Sequence, residues 1–583
     1  MKRLLLLTLF FFHLLSSAAA EKPSIVMFLT DDQGWGDLSI HGNTNLKTPH
    51  IDSLAREGAS FENFYVCAVC APTRAEFLTG RYHPKTGVSG VSEGTERINP
   101  DETTLADLLK NAGYATGAFG KWHNGTQAPY HPNDRGFDEY YGFTSGHWGH
   151  YFSPPLDHNR KIVKGNGYLV DDLTDHAIRF IEENRDEPFF CYIPYNTPHS
   201  PMMIDDDFYD HFADLDPEMK YRDPEKEDLP MTRAALAMCE NIDWNVGRVL
   251  ETLESLDLSG NTIVIYFSDN GPNSFRWNGG MKGKKGSVDE GGLRTPFFVR
   301  WPDRIPAGHQ IAKIAGAIDI LPTLLEAADI PDRPTKPLDG RSLTPLLFGD
   351  TGKWDERILF HIFRNKLSVR NQRFRLDDSG KLFDIHSDRG QLTDVSGQHP
   401  AIAEELRAAA KAFRIEAQGL AEQNRERPFT VGYHKHTTLP ARDGVPHGDI
   451  QRSSKAPNNS FFENWTSEDG TITWKIEVAE PARFEITVNC TCRKEDLGVK
   501  IKLTDKAGSF TEAPVSEAFD PPLYDKSKER VAESHYFVKD FKPLILGTIS
   551  LPAGANTLTL SAKDFVGTEA IDVHSLELVK VAP

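Results

Sequence analysis

The most constraining feature of this sequence is an alternation of short apolar segments with amphipathic ones. Branched and aromatic side chains dominate SIVMFLT, FFCYIP and TIVIYFS, which indicates buried strands. Between them, segments such as ETTLADLLKNAG and AALAMCENIDWNVGRVLETLESL place apolar residues on one helical face. This alternation predicts an α/β fold, with a mixed, mostly parallel sheet and helices on both of its faces.

Polar and charged side chains follow the predicted strands at the points where those strands end. In open α/β sheets, ligands bind outside the carboxyl ends of the strands, so one site at this edge could contain all of these side chains. The residues concerned are Asp31, Asp32, Lys121, His123, His199, Asp269 and Asn270.

The pattern changes in the C-terminal half of the chain. After a first α/β unit at 21–355, the segments ILFHIF, KLSVRN, QRFRLD and GKLFDI predict a small antiparallel sheet with a covering helix at 356–436. Residues 437–457 are rich in Pro, Gly, Ser and Asn, which is typical of a linker. Residues 458–583 alternate apolar and polar side chains between turn signals, which predicts a β-sandwich.

The N-terminus and the composition limit the location and the partners. Residues 1–20 combine two basic residues, an apolar run and an Ala-x-Ala end, which predicts a cleavable signal and a periplasmic or secreted protein. No later segment approaches the roughly 18 apolar residues of a membrane span, so we expect no membrane insertion after cleavage. The net charge of −19 argues against nucleic acid as a partner.

The stretch CAVCAPTR raises the question of a reactive cysteine. Pro72 suits the first turn of a helix, so Cys70 is predicted at a helix N-terminus, where anions are favoured. Arg74 follows one turn later on the same face. Cys67 completes a CxxC spacing and is interpreted as a bystander, although a disulfide with Cys70 would block chemistry at that thiol.

Two acidic pairs indicate a metal site. Asp31 with Asp32, and Asp269 with Asn270, offer only oxygen ligands at the ends of two predicted strands. Such ligands select a hard cation, Ca²⁺ or Mg²⁺, over zinc. Either pair alone would more often be a solvated turn or a helix cap.

Several motifs together resemble those of the sulfatase family. The pattern C-x-P-x-R with LTGR behind it resembles the family signature, and DDQGWGD, GKWHNG, SDNG and GKKGSVDEGGLRTP resemble further family segments. The resemblance implies an alkaline-phosphatase-like fold and a formylglycine that a maturation enzyme makes from Cys70. It implies a Ca²⁺ ion, with Mg²⁺ as the less favoured ion, bound by Asp31, Asp32, residue 70, Asp269 and Asn270. The catalytic residues it implies are Cys70, Arg74, Lys121, His123, His199 and Lys285.

The same resemblance implies a division of labour in sulfate ester hydrolysis. A hydroxyl of the hydrated aldehyde at position 70 would attack sulfur, while Lys121 and Lys285 hold the sulfuryl oxygens. His199 would protonate the leaving oxygen, and His123 would take the remaining hydroxyl proton. Lys284 is interpreted as a neighbour of Lys285 without a catalytic role.

The substrate is less constrained by the sequence. A sulfated saccharide is expected, with His147, Trp148 and Trp277 as substrate-binding residues, although core packing is an equal alternative for each. The C-terminal segment faintly resembles a carbohydrate-binding module. The alternative functions are a phosphodiesterase or phosphonate monoester hydrolase of the same superfamily, a noncatalytic glycan-binding protein, and a thioredoxin-like redox protein.

Overall fold

The computed structural model describes residues 22–350, 352, 354–424, 426–531 and 536–581. The predicted signal at 1–20 lies outside these described residues. Within them, no helix combines the length and the apolar character needed to cross a bilayer.

A ten-stranded mixed sheet forms the centre of the N-terminal unit. Its strands run in the order β10-β2-β9-β8-β1-β7-β3-β4-β5-β6, and the central five, from β8 to β4, are parallel to one another. The strands are β1 (Ser24–Thr30), β2 (Ala59–Tyr65), β3 (Ala115–Lys121), β4 (Glu139–Phe143), β5 (Pro155–His158), β6 (Lys161–Lys164), β7 (Phe189–Pro194), β8 (Thr262–Ser268), β9 (Phe297–Arg300) and β10 (His309–Gly316).

Helices cover both faces of this sheet, as the alternation predicts. Successive side chains of β1 point to opposite faces: Ile25, Met27 and Leu29 join one buried cluster, whereas Val26 and Phe28 join the other. Helices α2, α3 and α8 pack on the first face, and α1, α4 and α6 pack on the second. The helices are α1 (Pro49–Glu57), α2 (Cys70–Thr79), α3 (Leu105–Asn111), α4 (Leu169–Glu183), α5 (Asp206–Tyr209), α6 (Leu229–Ser255), α7 (Glu290–Leu293), α8 (Ile320–Ala327) and α9 (Thr344–Leu347).

A small antiparallel sheet follows, with a long helix against it. Its strands and helix are β11 (Leu359–Phe363), β12 (Lys366–Arg370), β13 (Phe374–Leu376), β14 (Leu382–Asp384) and α10 (Pro400–Asn424). Their buried side chains share one cluster with residues of the first unit, so this subdomain is part of the same body.

Two six-stranded sheets enclose a separate buried cluster and form the C-terminal sandwich. Its strands are β15 (Phe429–Val431), β16 (His436–Pro440), β17 (Val445–His447), β18 (Gln451–Arg452), β19 (Phe462–Glu463), β20 (Thr471–Val478), β21 (Ala482–Thr491), β22 (Lys500–Thr504), β23 (Phe510–Pro514), β24 (Lys542–Leu551), β25 (Gly554–Lys563) and β26 (Asp572–Lys580).

The sandwich begins earlier than the sequence predicts, and the predicted linker at 437–457 is wrong. This segment supplies most of β16, which pairs with β26, and all of β17, which pairs with β20. The Pro- and Gly-rich composition reflects short outer strands, where a proline such as Pro446, which lies opposite Ile472, is tolerated although it has no backbone N–H to donate. The boundary with the first unit therefore lies between α10 and β15.

Candidate active site

Two neighbouring strands bring the acidic pairs together at the carboxyl edge of the large sheet. Strands β1 and β8 run in parallel register with Thr30 opposite Ser268, so the residues that follow them are adjacent. The backbone N–H of Asp269 donates to the Thr30 carbonyl oxygen over 3.0 Å, and that of Asp32 donates to Asp269 Oδ1 over 3.3 Å. Asn270 Nδ2 donates to Asp32 Oδ1 over 2.7 Å.

Helix α2 holds Cys70 and Arg74 against this edge. Cys70 is the first residue of the helix, as its proline spacing predicts. Arg74 is fully buried and donates to Asp269 Oδ2 from Nε and Nη2, over 3.2 and 2.8 Å. Its Nη1 donates to the Lys121 carbonyl oxygen over 2.7 Å, and Thr73 Oγ1 donates to the Asp269 carbonyl oxygen over 2.6 Å. The first turn of α2 is thereby fixed to the ends of β8 and β3.

Neither cysteine of the CxxC spacing is in a disulfide. Burial raises the pKa of the Cys70 thiol to about 11, although Lys121 and Lys285 act in the opposite direction. Burial, reinforced by the nearby Glu76 carboxylate, also holds the pKa of Cys67 well above its usual range. Both side chains are therefore neutral thiols near pH 7, and a thiol is a far poorer nucleophile than a thiolate. This arrangement does not suit thioredoxin-like chemistry.

The oxygen atoms around Cys70 suit a hard cation. One ligand atom each of Asp31, Cys70 and Asp269 lies within 4.8 Å of the other two. Asp31 Oδ1 and Asn270 Oδ1 are buried and have no hydrogen-bond partner among the described residues. Burying such oxygens without a partner is costly, and a cation of the Ca²⁺ class would satisfy them. The oxygen ligands at this position therefore fit the predicted Ca²⁺ ion.

Two lysines reach the same cluster from different elements. Lys121, the last residue of β3, lies with its Nζ 2.5 Å from Asp31 Oδ2. The Nζ of Lys285 lies 2.5 Å from Asp32 Oδ1. Burial opposes the charge of Lys285, but the Asp32 carboxylate raises the pKa of this lysine well above its usual range. Lys284 points elsewhere and donates to the Asn273 carbonyl oxygen over 2.7 Å.

The environment of His123 defines its protonation. Its Nε2 lies 2.8 Å from the Val91 carbonyl oxygen, which can only accept, so Nε2 carries the proton. Burial and the Lys121 charge keep the pKa of His123 well below its usual range. The ring is therefore neutral, and its buried Nδ1 presents a lone pair with no partner among the described residues.

His199 lies beside Asp32 of the same acidic pair. Its Nδ1 is 2.6 Å from the Ser200 carbonyl oxygen, and its Nε2 is 3.7 Å from Asp32 Oδ2. Burial and the Lys285 charge lower the pKa of His199 in this structure. His147 stacks against it at 5.7 Å between ring centroids, with an interplanar angle of 19°.

The C-terminal sandwich adds a residue that the sequence analysis missed. Tyr536, in the stretch between β23 and β24, packs edge-on against His147 at 4.7 Å between ring centroids. Burial raises its pKa to about 12, and the charges of Lys285 and Asp32 also act on its hydroxyl. The same stretch is held beside His199 by backbone bonds, from Ile204 to Lys528 over 3.3 Å and from Arg530 to Met202 over 2.8 Å. No periodic pattern in the sequence signals this return.

The predicted substrate-binding residues do not all share this cleft. His147 lies in it, as described. Trp277 is half-buried and packs near Trp35, at 6.3 Å between ring centroids, so its role in substrate binding stays a prediction. Trp148 instead stacks on Phe143 at 5.2 Å and lines a cavity between the first unit and the sandwich.

Comparisons with known proteins agree with the motifs. The Sulfatase family model matches residues 23–330, and the model described as N-sulphoglucosamine sulphohydrolase, C-terminal, matches residues 283–412. The steryl-sulfatase of Mus musculus is 30% identical over 441 residues, which cover 58% of this chain and 67% of the relative. The N-acetylgalactosamine-6-sulfatase of Canis lupus familiaris is 31% identical over 377 residues, covering 58% and 68%.

A solved structure is similar over most of its own length. The complex of Ps i-CgsB with k-i-k-neocarrahexaose aligns with a TM-score of 0.61 and 30% identity, over 68% of this chain and 93% of that chain. Both family models end before the sandwich begins at Phe429.

Proposed function

This chain belongs to the sulfatase family and is a sulfuric ester hydrolase, and we propose that it acts on a sulfated saccharide through a formylglycine formed from Cys70, with Ca²⁺ bound beside it. One observation supports the proposal above the others. Two unpartnered buried oxygens, of Asp31 and Asn270, and two lysine ammonium groups lie around a single cysteine at the start of a helix.

The charges around residue 70 suit a sulfate ester. Asp31, Asp32, Asp269, Asn270 and residue 70 would hold the cation, which supplies electrostatic stabilisation of the developing negative charge when bound. The formylglycine would supply a hydroxyl nucleophile in its hydrated form. Lys121 and Lys285 would hold the sulfuryl oxygens, and Arg74 would fix the nucleophile relative to them.

Two histidines would move the protons. The Nδ1 lone pair of His123 suits a base, because its Nε2–H is committed to the Val91 carbonyl. His199 would donate from Nε2 to the leaving oxygen, because its Nδ1–H is directed at Ser200. The anionic ester would raise the pKa of His199 and favour the protonated ring that this step requires.

A saccharide is the favoured leaving group. One relative is named for N-acetylgalactosamine 6-sulfate, and one solved neighbour is bound to a neocarrahexaose. The hydroxyl of Tyr536 and the buried, unpartnered Nε2 of His147 could bind sugar hydroxyls at the cleft. Tyr536→Ala should raise KM about fivefold for a sulfated oligosaccharide, because it removes one hydrogen bond of about 1 kcal/mol, and it should change KM little for 4-nitrophenyl sulfate.

Relative turnover of 4-nitrophenyl sulfate and 4-nitrophenyl phosphate tests the reaction class. The proposal predicts faster turnover of the sulfate, and a clear phosphate preference would favour the phosphodiesterase or phosphonate hydrolase alternative. A panel of defined sulfated saccharides then identifies the sugar. Absence of turnover on every sulfate ester, with the aldehyde present at position 70, would favour a noncatalytic glycan-binding protein.

Maturation and location complete the proposal. We expect a formylglycine-generating enzyme to act on Cys70 before folding, because that thiol is buried in the folded protein. We also expect export to the periplasm or the medium, directed by residues 1–20. Cell fractionation tests the export, because recovery of all of the protein from the cytoplasm would contradict it, and N-terminal sequencing of the exported protein tests whether residues 1–20 are removed.

A further inference from the structure

A large cavity lies between the first unit and the sandwich, apart from the cluster around Cys70. Its volume is about 640 Å³, within the range of about 300–1,000 Å³ that is typical of ligand pockets. Hydrogen bonds across the junction keep its walls in place. Gln127 Nε2 donates to the Thr438 carbonyl oxygen over 3.0 Å, and Thr430 Oγ1 donates to the Ala128 carbonyl oxygen over 2.6 Å.

Aromatic rings contribute to both walls of the cavity. On the wall of the first unit, Trp148 is held by stacking on Phe143 at 5.2 Å and 19°. On the sandwich wall, Phe541 stacks on His574 at 4.9 Å and 28°. Flat apolar rings with fixed orientation suit the apolar faces of sugar rings, and they lose little conformational entropy on binding.

The polar groups of the cavity offer donors and acceptors in balance. His131 Nε2 lies 3.0 Å from Asp157 Oδ2, and His436 Nε2 lies 2.7 Å from Glu577 Oε2. The ring of His574 is exposed to the cavity, and partial desolvation by the cavity walls lowers its pKa to about 4. It is therefore neutral near pH 7 and offers one donor and one acceptor. Within the described part of the chain, its nitrogens have no hydrogen-bond partner.

The charged side chains of this cavity are largely neutralised by partners. Most of the charged residues that line it are paired within the protein: Lys539 lies 2.6 Å from Asp572 Oδ2, and Arg160 lies 2.6 Å from Asp134 Oδ1. A site for a polyanion would need an excess of unpaired cations. Paired charges with aromatic faces instead suit hydroxyl groups on an uncharged ligand.

We propose that this cavity is a second saccharide-binding site, for an unsulfated run of sugar rings, built jointly by the two units. It would hold part of a polysaccharide while sulfate is removed from another part of the same polysaccharide in the catalytic cleft. The inference does not depend on the proposed catalytic mechanism, because binding here requires neither the aldehyde nor the metal.

Calorimetric titration of the full chain with three uncharged probes tests the inference: agarohexaose, cellohexaose and chitohexaose. We expect at least one to bind, and we expect His574→Ala and Trp148→Ala each to weaken its Kd about tenfold, as the loss of one or two contacts implies. Phe510→Ala is the matched control, because Phe510 is an exposed aromatic residue of the same sandwich that does not line the cavity. Its Kd should equal that of the wild type.

The other outcomes contradict the inference. Failure of all three probes to bind at millimolar concentration would overturn it. So would binding that Lys285→Met abolishes and His574→Ala leaves unchanged, because the probe would then occupy the catalytic cleft. The two test variants alter opposite walls, so each remains informative if the other fails to fold. His574→Ala should also leave 4-nitrophenyl sulfate turnover unchanged, which separates this inference from the proposed function.

Discussion

Two adjacent lysines provide the sharpest test of the catalytic arrangement. Lys285 Nζ lies 2.5 Å from Asp32 Oδ1, whereas Lys284 Nζ donates to the backbone carbonyl of Asn273 over 2.7 Å. Replacing Lys285 by methionine keeps most of the apolar stem and removes the cation that would face the sulfuryl oxygens. Loss of one such preorganised donor costs about 10²–10³ in kcat, or about 3–4 kcal/mol. Replacing Lys284 by methionine removes one hydrogen bond of about 1 kcal/mol, which corresponds to about fivefold at most.

The assay compares kcat and kcat/KM for 4-nitrophenyl sulfate in the wild type, Lys285→Met and Lys284→Met. The melting temperature of each variant is measured in parallel, so that a loss of folded protein is not read as a loss of chemistry. We expect the two variants to differ by at least about tenfold in kcat. Equal losses, or the larger loss in Lys284→Met, would refute the assignment of Lys285.

Three further predictions concern the metal, the second cysteine and a buried acid. Chelation should lower the melting temperature of the wild type, and added Ca²⁺ should restore it. The melting temperature of Asn270→Ala should change less on chelation, because this variant lacks one of the unpartnered oxygens. Cys67→Ala should still acquire the aldehyde and keep kcat, at a cost of about 1–2 kcal/mol in stability; loss of the aldehyde by peptide mass spectrometry would contradict this. Burial raises the pKa of Asp243 from 3.8 to about 7, so its contribution to stability is complete below about pH 4 and is lost as the pH rises through about 7. Asp243→Asn should therefore gain stability relative to the wild type between about pH 5 and 8 in thermal denaturation, and a constant difference would contradict the shift.

The sequence predicts the large sheet, and the carboxyl edge at which the candidate site lies, because the patterns that indicate them lie within short segments of the sequence. Buried strands such as β1 and β8 are continuous apolar runs, and parallel strands end at one edge, so Asp31 and Asp269 meet there. Pro72 likewise locates the start of α2, and hence the position of Cys70.

The sandwich is predicted less well because its contacts with the first unit are long-range. The stretch that carries Tyr536 has no periodic pattern, and its contact with His147 joins two distant parts of the chain. The sequence predicts the position of Trp148 wrongly for the same reason. Its place beside the motifs suggests the catalytic cleft, but its ring stacks on Phe143 and faces the sandwich instead. Short outer strands and linkers can share a composition rich in Pro, Gly, Ser and Asn. Composition alone therefore predicts a linker at 437–457, where the structure has strands.

The most direct test of the central proposal measures how much aldehyde is present at position 70 and how fast the same sample turns over. Preparations made with different amounts of maturation enzyme are digested, and the peptide that contains residue 70 is quantified by mass spectrometry as thiol or aldehyde. Turnover of 4-nitrophenyl sulfate is measured on the same preparations. The proposal predicts a rate proportional to the aldehyde fraction, with no activity when residue 70 is entirely thiol. Full activity in an all-thiol preparation would contradict it.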